Sequence, residues 1–112
     1  MKYALLLYDD PAAWENVGGD ELKGLHDEYM AVASEPEAYG GAQLGPAAQA
    51  KVVRGELVTD GPFTETKEVI SGFYLVDAPS KERALELALR IPTVSRMGGA
   101  IEIRPLVERV ER

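Results

Sequence analysis

Apolar residues change their spacing several times along the chain, and each change marks the start or the end of an expected element. Lys2–Tyr8 and Val69–Val76 are apolar runs of strand length in which neither face is polar. Alternation in the second run gives one face of Ile70, Gly72, Tyr74 and Val76 and another of Val69, Ser71, Phe73 and Leu75. This two-sided pattern is typical of strands that are covered on both faces.

Two other segments have apolar residues at helical spacing. The first helix is predicted over Glu21–Ser34, with Asp20 as its N-cap. Its buried stripe is expected to consist of Leu22, Leu25, Tyr29 and Ala33. The second helix is expected to start after Ser80 as N-cap and to end near Ile91, because Pro92 cannot continue it. Its inward positions are Ala84, Leu87, Ala88 and Ile91.

The remaining strands are shorter. A weak strand is expected over Tyr39–Leu44, and "KVV" and "ELV" flank Arg54-Gly55 as a tight hairpin. The last strand is "AIEIRPLV". Its Ile101 and Ile103 face one way, whereas Ala100, Glu102 and Arg104 face the other.

The order of elements is strand, helix, strands, strand, helix, strand, which indicates an α+β fold with two helices on one face of a mainly antiparallel sheet. The length of 112 residues fits one domain spanning 1–112. Two helices cannot cover both faces of the sheet. We therefore expect the apolar face opposite the helices to be buried by a second copy, in a homodimer.

Charge and composition exclude several classes of partner. The 12 Lys and Arg residues against 19 Asp and Glu residues give a net charge of −7, so nucleic acid and anionic membrane surfaces are not expected partners. No apolar run approaches the ~20 residues of a membrane span. The apolar start "MKYALLLYDDP" is short and lacks a small-residue cleavage site, so it is interpreted as a strand in a cytoplasmic protein.

Candidate chemistry is limited by residue type. The chain has no cysteine and one histidine, so disulfides, thiolate nucleophiles and a metal centre are not expected. No phosphate-binding loop, dinucleotide fingerprint or Gly-x-Ser-x-Gly elbow is present, and no cofactor is predicted.

The stretch "TDGPFTETKE" is the most distinctive motif. Asp-Gly followed by Pro is common loop punctuation, and a rigid corner between strands explains it without any function. In that interpretation Asp60 caps the corner and Phe63 fills the core. In the functional interpretation Asp60 is a base or an orienting group, Gly61 allows close backbone approach and Phe63 forms an apolar wall.

Three segments together resemble the YCII-related family, in the branch named for its Asp-Gly-Pro-Phe motif: "VTDGPFTETKE", "SGFYLVDAPSKERALELALRIP" and "IEIRPLV". The opening "MKYALLLYDDPAAW" is similar to that branch as well, and the resemblance is loosest over residues 39–56. It implies a ferredoxin-like fold that pairs as a dimeric α/β barrel. The family has no established general activity. Some members have been suggested to be enzymes with a His–Asp pair, and members of this branch are often linked or fused to extracytoplasmic-function sigma factors.

The resemblance suggests His26 and Asp60 as a catalytic pair. His26 borders the predicted stripe of the first helix and resembles the helix-borne histidine of the family. An imidazole oriented by a carboxylate can shuttle protons near neutral pH. The alternative is a boundary histidine that packs its ring and binds water.

Five further residues are candidates for ligand binding: Gly61, Phe63, Lys67, Tyr74 and Arg104. Lys67 would hold an acidic ligand, or pair with Glu65 or Glu68. Arg104, beside Glu102, would bind a carboxylate or form a salt bridge at the dimer interface. Two functions remain open: a small-molecule binder or acid–base enzyme, and a non-catalytic interaction module that regulates a sigma factor.

Overall fold

The computed structural model describes residues 1–64 and 66–108 of the chain. Six strands occur in this order: β1 (Lys2–Asp9), β2 (Ala38–Gln43), β3 (Lys51–Arg54), β4 (Leu57–Asp60), β5 (Val69–Asp77) and β6 (Ala100–Pro105). The helices are α1 (Gly19–Ala33), α2 (Lys81–Arg90) and the single turn α3 (Pro92–Ser95). Two short 3-10 helices span Pro11–Trp14 and Ala47–Gln49.

The main sheet has four antiparallel strands in the order β2-β5-β1-β6. This is the strand order of a ferredoxin-like fold, which confirms the α+β prediction. The two strands with two apolar faces, β1 and β5, are the central pair of the sheet. A separate two-stranded sheet, β3-β4, is formed by the part of the chain that connects β2 to β5.

The helices cover one face of the main sheet and form the core with it. Leu5 and Val76 on the strands and Val32, Leu87 and Ile91 from the helical side are at most 1% exposed. Each such side chain stabilises the fold by about 1.5–3 kcal/mol through removal from water. The inward positions predicted for the second helix are therefore confirmed.

The start of the first helix differs from the prediction. The N-cap is Gly18, which has no side chain to donate to or accept from the first turn, and Asp20 lies inside the helix. Asp20 still suits this position, because a carboxylate in the first turn interacts favourably with the helix dipole. The buried side of the helix includes Leu25 and Val32, whereas Leu22 is 48% exposed.

Ala33 is exposed as well. The predicted stripe was thus wrong at both of its ends.

The second helix follows the prediction closely. The Ser80 hydroxyl accepts a hydrogen bond from the Arg83 amide at 3.1 Å, which is a side-chain N-cap. The helix ends at Arg90, and Pro92 starts the next short turn in place of continuing it.

A register shift next to Leu7 changes one predicted side-chain direction. Leu7 pairs with Gly72 while Tyr8 pairs with Ile70, so one residue of β5 is bulged out. Ile70 therefore lies opposite Tyr8 and is 40% exposed, which corrects its predicted place beside Tyr74 and Val76.

The face of the main sheet opposite the helices is called the open face here. Cross-strand neighbours share a face, and register places Ala4 beside Leu75 and Leu6 beside Phe73 at its centre. These four side chains are partly exposed and lie outside the core cluster. Glu102, the β6 neighbour of Leu6, marks the polar margin.

The hairpin Lys51–Asp60 is called the arm. Its strands are joined by the two-residue turn Gly55–Glu56, in which Gly55 has a φ of +59°. That positive φ is the reason a glycine suits this turn. Val53, Leu57 and Val58 on the arm are 64–69% exposed.

The molecule is a thin slab of 46 × 40 × 17 Å. Its radius of gyration is 15.5 Å, where about 13 Å is usual for this length. Its accessible surface is 7979 Å², where a compact monomer of this mass exposes roughly 6,100 Å². The single chain thus exposes far more surface than its mass requires.

Candidate functional site

A cleft of about 920 Å³ opens at the end of the main sheet where β1 finishes. Its polar and flexible lining side chains are Tyr8, Asp10, Thr66, Lys67, Glu68 and Met97. They come from three places: the end of β1 with the segment that follows it, the segment that returns from the arm, and the loop before β6.

The register of the sheet brings these three segments together. Asp9 at the end of β1 pairs with Val69 at the start of β5, and Tyr8 pairs with Ala100 at the start of β6. Loops that precede or follow paired antiparallel ends lie side by side. The cleft is therefore a direct product of strand pairing.

Lys67 and Asp10 form the charged pair of the cleft. The Lys67 Nζ lies 3.8 Å from Asp10 Oδ2, and the lysine side chain is 84% exposed against 28% for the aspartate. Asp10 is also fixed by the backbone, since its Oδ1 accepts a hydrogen bond from the Ala12 amide at 3.0 Å. The pair is long and exposed, worth about 0–1 kcal/mol, so the ammonium is available to a ligand.

Tyr8 joins the cleft to the open face. Its hydroxyl donates to Glu102 Oε1 at 3.4 Å, on the same side of the sheet as Leu6. A molecule in the cleft and a protein on the open face would both lie next to this phenol.

A buried polar cluster supports the wall of the cleft. Asp9 is only 3% exposed, and its Oδ2 accepts a hydrogen bond from Trp14 Nε1 at 3.0 Å. The Trp14 ring stacks on Tyr29 with a centroid distance of 6.2 Å. These contacts hold the 3-10 helix Pro11–Trp14 against the core.

Tyr29 and Thr93 complete this cluster. Their hydroxyls are hydrogen-bonded at 2.8 Å, and Thr93 is fully buried. Burial raises the pKa of Tyr29, an effect that the Thr93 hydrogen bond opposes and the nearby Asp9 charge reinforces. Sequence reasoning placed Tyr29 in the buried stripe of the first helix but did not single out Asp9, Trp14 or Thr93. The signal for Asp9 was the alternation of Leu5 and Leu7, which continues to the inward face at Asp9 once the strand is extended by one residue.

His26 and Asp60 have different surroundings in the single chain. His26 is exposed on α1 and makes no hydrogen bond or ion pair with any described residue. Asp60 ends the arm with an 85% exposed side chain and forms an ion pair with Lys51. Neither residue lines the cleft beside Lys67, so their role as a catalytic pair stays a prediction.

Gly61 and Phe63 form the corner after the arm. The Gly61 amide donates to the Ala50 carbonyl at 2.8 Å, and a Cβ on Gly61 would lie 3.0 Å from the Ala50 side chain. The corner therefore favours glycine, because any side chain there would press against Ala50 and Val52. Phe63 is 70% exposed with the Arg54 guanidinium 5.0 Å from its ring centre, so the expectation that it fills the core was wrong.

Tyr74 and Arg104 lie on opposite faces of the sheet. Tyr74 is 8% exposed on the helix side, and its hydroxyl donates to the Tyr29 carbonyl at 2.8 Å. Burial raises the pKa of Tyr74 to about 12. Arg104 is 68% exposed on the open face, 3.9 Å from Glu102. Of the seven predicted site residues, Lys67 is the one that lines the cleft, and the prediction that it pairs with Glu68 is replaced by its contact with Asp10.

Glu65, the other predicted partner of Lys67, lies outside the described residues.

A second cleft, of about 400 Å³, lies between α1 and the α2–α3 segment. Arg96 in its wall is held by Glu28 with an Nε–Oε2 distance of 2.7 Å, and Arg90 is held by Glu35 at 2.6 Å. Both arginines are already neutralised, so this cleft offers an anion less than the cleft at Lys67 does.

The described part of the chain lacks two further features that would suggest a function. No group of three or more His, Cys, Asp or Glu side chains is placed to hold a metal ion among residues 1–64 and 66–108. Over the same residues, the helices are too short or too polar to cross a bilayer.

The fold defines the class of this protein as a ferredoxin-like α+β domain, with an open cleft at one end of its sheet. The chain belongs to the YCII-related family, because a model of the YCII-related domain matches residues 1–109. It is similar to an uncharacterised protein of Rhizobium meliloti, with 35% identity over 114 residues that cover 95% of this chain and 92% of that protein. These comparisons establish the family, and the geometry has to supply the function.

Proposed function

We propose that this protein is a homodimeric binding domain for a small polar molecule that carries an anionic group. The observation that carries the proposal is the exposed Lys67 ammonium in the cleft of about 920 Å³, whose ion pair among the described residues is a long 3.8 Å contact with Asp10. Ligand pockets are commonly about 300–1,000 Å³, with a few polar groups that fix the orientation of the ligand.

Four side chains of the cleft have a defined part in this proposal. Lys67 binds the anionic group of the ligand, and Asp10 holds the ammonium in place and accepts a hydrogen bond from a donor on the ligand. Met97 supplies a flexible apolar contact, which tolerates different ligand shapes. The negative charge of Asp10 and Glu68 limits the site to ligands that also carry a donor or a cationic group.

The homodimer is the second part of the proposal, and the open face is its interface. Ala4, Leu6, Phe73 and Leu75 give this face an apolar centre, and the Glu102–Arg104 pair gives it a margin that a symmetric copy can complement. The chain exposes about 1,900 Å² more than a compact monomer of its mass. A standard interface needs about 800 Å² from each partner, so the excess is sufficient.

The catalytic pair and the sigma-factor partner are separate proposals. Proton transfer between His26 and Asp60 requires a ligand or a second copy that connects them, since each is exposed in its own surroundings. Regulation of an extracytoplasmic-function sigma factor, and the assignment to the Asp-Gly-Pro-Phe branch, are supported by the motif residues alone.

A thermal-shift screen with small carboxylates, phosphates, sulfonates and amino acids tests the ligand proposal. A ligand at ten times its Kd stabilises the protein by about 1.4 kcal/mol, which raises Tm by roughly 5–10 °C. We expect Lys67→Ala to lose this shift. Lys81→Ala is the matched control, because Lys81 is exposed at the start of α2, outside the cleft.

The same screen separates the alternatives. Shifts that survive Lys67→Ala but vanish in both His26→Ala and Asp60→Ala would place the site at the predicted catalytic pair instead. A library without any stabilising member would contradict the binding proposal. Light scattering at micromolar concentration tests the dimer, and a mass of 12.2 kDa there would refute it.

A further inference from the structure

The arm leaves apolar side chains in water on a structure that has little support of its own. Val53 and Val58 are direct cross-strand partners and are 69% and 64% exposed. Leu57 on the other face of the hairpin is 67% exposed. An isolated two-stranded hairpin is marginally stable in water, and usually needs a third strand or a packed face.

The remainder of the chain gives the arm few contacts. Val52 is the one partly buried residue of β3, and every residue of β4 is exposed. The bond from the Gly61 amide to the Ala50 carbonyl extends the hairpin itself by one rung and does not tie it to the main sheet. The arm therefore exposes a surface suited to a partner.

Charge identifies the partner that fits this surface. The arm carries Lys51, Arg54, Glu56 and Asp60, which sum to zero, on a chain with a net charge of −7. A nucleic acid or an anionic membrane requires a basic surface, which the arm lacks. A neutral apolar arm can approach a second acidic copy without adding repulsion, and twofold symmetry uses both arms at once.

The arm is also connected to the cleft. The segment that returns from Asp60 to β5 carries Thr66, Lys67 and Glu68, which form one wall of the cleft. Lys67 follows the arm by seven residues, so the chain offers a short route by which the position of the arm can affect the ammonium. The long contact of Lys67 with Asp10 leaves room for such an effect.

We propose that the arm packs against the second copy in the homodimer and thereby fixes the Lys67 wall of the cleft, so that the binding site is complete only in the dimer. This inference rests on the homodimer proposed above. It adds an interface outside the open face and couples ligand binding to assembly.

The test compares the dimer dissociation constant of three proteins by sedimentation equilibrium. Val53→Thr with Val58→Thr keeps the β-branched shape of both side chains and removes only their apolar character. The control, Leu85→Gln with Leu89→Gln, removes two exposed apolar side chains from α2. We expect the arm variant to raise Kd at least tenfold and the control to change it less than threefold.

Hydrogen exchange gives an independent measurement on the unmodified chain. Amides of residues 51–60 and 66–68 should exchange more slowly at ten times Kd than at one tenth of Kd. Two results would overturn the inference while leaving the homodimer intact. One is a wild type that dimerises with the same Kd as the arm variant. The other is a wild-type dimer whose arm amides exchange equally at both concentrations. A wild type that stays monomeric overturns both the homodimer and this inference. If the arm amides become protected only after another protein is added, the arm binds that protein and the inference is overturned as well.

Discussion

Replacement of Tyr74 by phenylalanine should change how the stability of the protein depends on alkaline pH. The Tyr74 ring is 8% exposed, and its hydroxyl donates to the main-chain carbonyl of Tyr29 at 2.8 Å. Burial, with a smaller contribution from the nearby Tyr29, raises the pKa of this phenol from 10.0 to about 12. Tyr74→Phe removes the titrating group and keeps the ring.

The sign of the effect follows from which state holds the proton. Between pH 10 and pH 12 the folded protein keeps the Tyr74 proton while the unfolded chain loses it, so the free energy of unfolding falls as the pH rises. The stabilisation is complete below pH 10 and is lost towards pH 12. A shift of two pKa units corresponds to about 2.7 kcal/mol, a large share of the ~5–15 kcal/mol that stabilises a domain.

The substitution also removes one hydrogen bond, worth about 1 kcal/mol. The Tyr74→Phe protein should therefore be less stable than the wild type at pH 8 by about that amount. Near pH 11 the wild type has lost about 1.4 kcal/mol through ionisation, so the two curves should cross there. Above that pH the variant should be the more stable protein.

Urea unfolding followed by tryptophan fluorescence is the assay. The chain has one tryptophan, Trp14, and it stacks on Tyr29 next to the core, so its emission reports the loss of that packing. Measurements at one protein concentration from pH 8 to pH 11.5 keep any association constant. Tyr39→Phe is the control: its side chain is 50% exposed, and we expect the wild-type profile.

Parallel curves for wild type and Tyr74→Phe would refute the reasoning. They would mean that Tyr74 is accessible to hydroxide at no cost in folding energy, and its assignment to the core would have to be withdrawn in favour of the predicted ligand contact.

Three further substitutions test the core and its margins. Leu87→Ala should cost about 2–5 kcal/mol in urea unfolding, because Leu87 is fully buried; Leu89→Ala on the same helix, where the side chain is 58% exposed, should stay within about 0.5 kcal/mol. Gly99→Ala should cost about 1–3 kcal/mol or prevent folding, because a Cβ there overlaps the Tyr8 carbonyl oxygen, and a variant of wild-type stability would contradict this contact. The hydrogen bond from Arg83 lowers the pKa of Glu37 below its usual 4.5. The contribution of the ionised Glu37 to stability is therefore present above that pH and is lost on acidification. In the Glu37→Gln variant the free energy of unfolding should accordingly fall less steeply as the pH is lowered below 4.5. A fall as steep as in the wild type would contradict the ion pair.

Local pattern was sufficient for the architecture and insufficient for its details. Period-two alternation in β1 and β5 predicted two apolar faces, and Ser80 and Pro92 marked the ends of the second helix. The bulge that turns Ile70 to the other face involves one residue and leaves the alternation intact, so no sequence pattern revealed it. Gly18 took the cap that Asp20 was expected to form, since tertiary packing decides where a helix begins more strongly than cap preference does.

The candidate site was predicted only in part, because its residues are distant in the sequence and are brought together by the pairing of strands. Lys67 stood out because it follows a distinctive corner, but its partner Asp10 is 57 positions earlier and reaches it only through strand register. In the structural interpretation of its motif Phe63 was expected to fill the core. It is 70% exposed beside Arg54, because the corner that carries it lies outside the core cluster, and a local motif does not reveal that placement.

The segment between β2 and β5, which contains the arm, leaves the main sheet and returns to it at neighbouring residues. Gln43 pairs with Gly72, and the Leu44 amide donates to the Ser71 carbonyl at 2.9 Å, so the segment is closed at its base by ordinary ladder bonds. The chain beyond that base can be lengthened, shortened or exchanged while the four-stranded sheet and its core keep their sequence. Sequence changes in this segment therefore alter the exposed surface of the protein without altering the packing that holds the main sheet together.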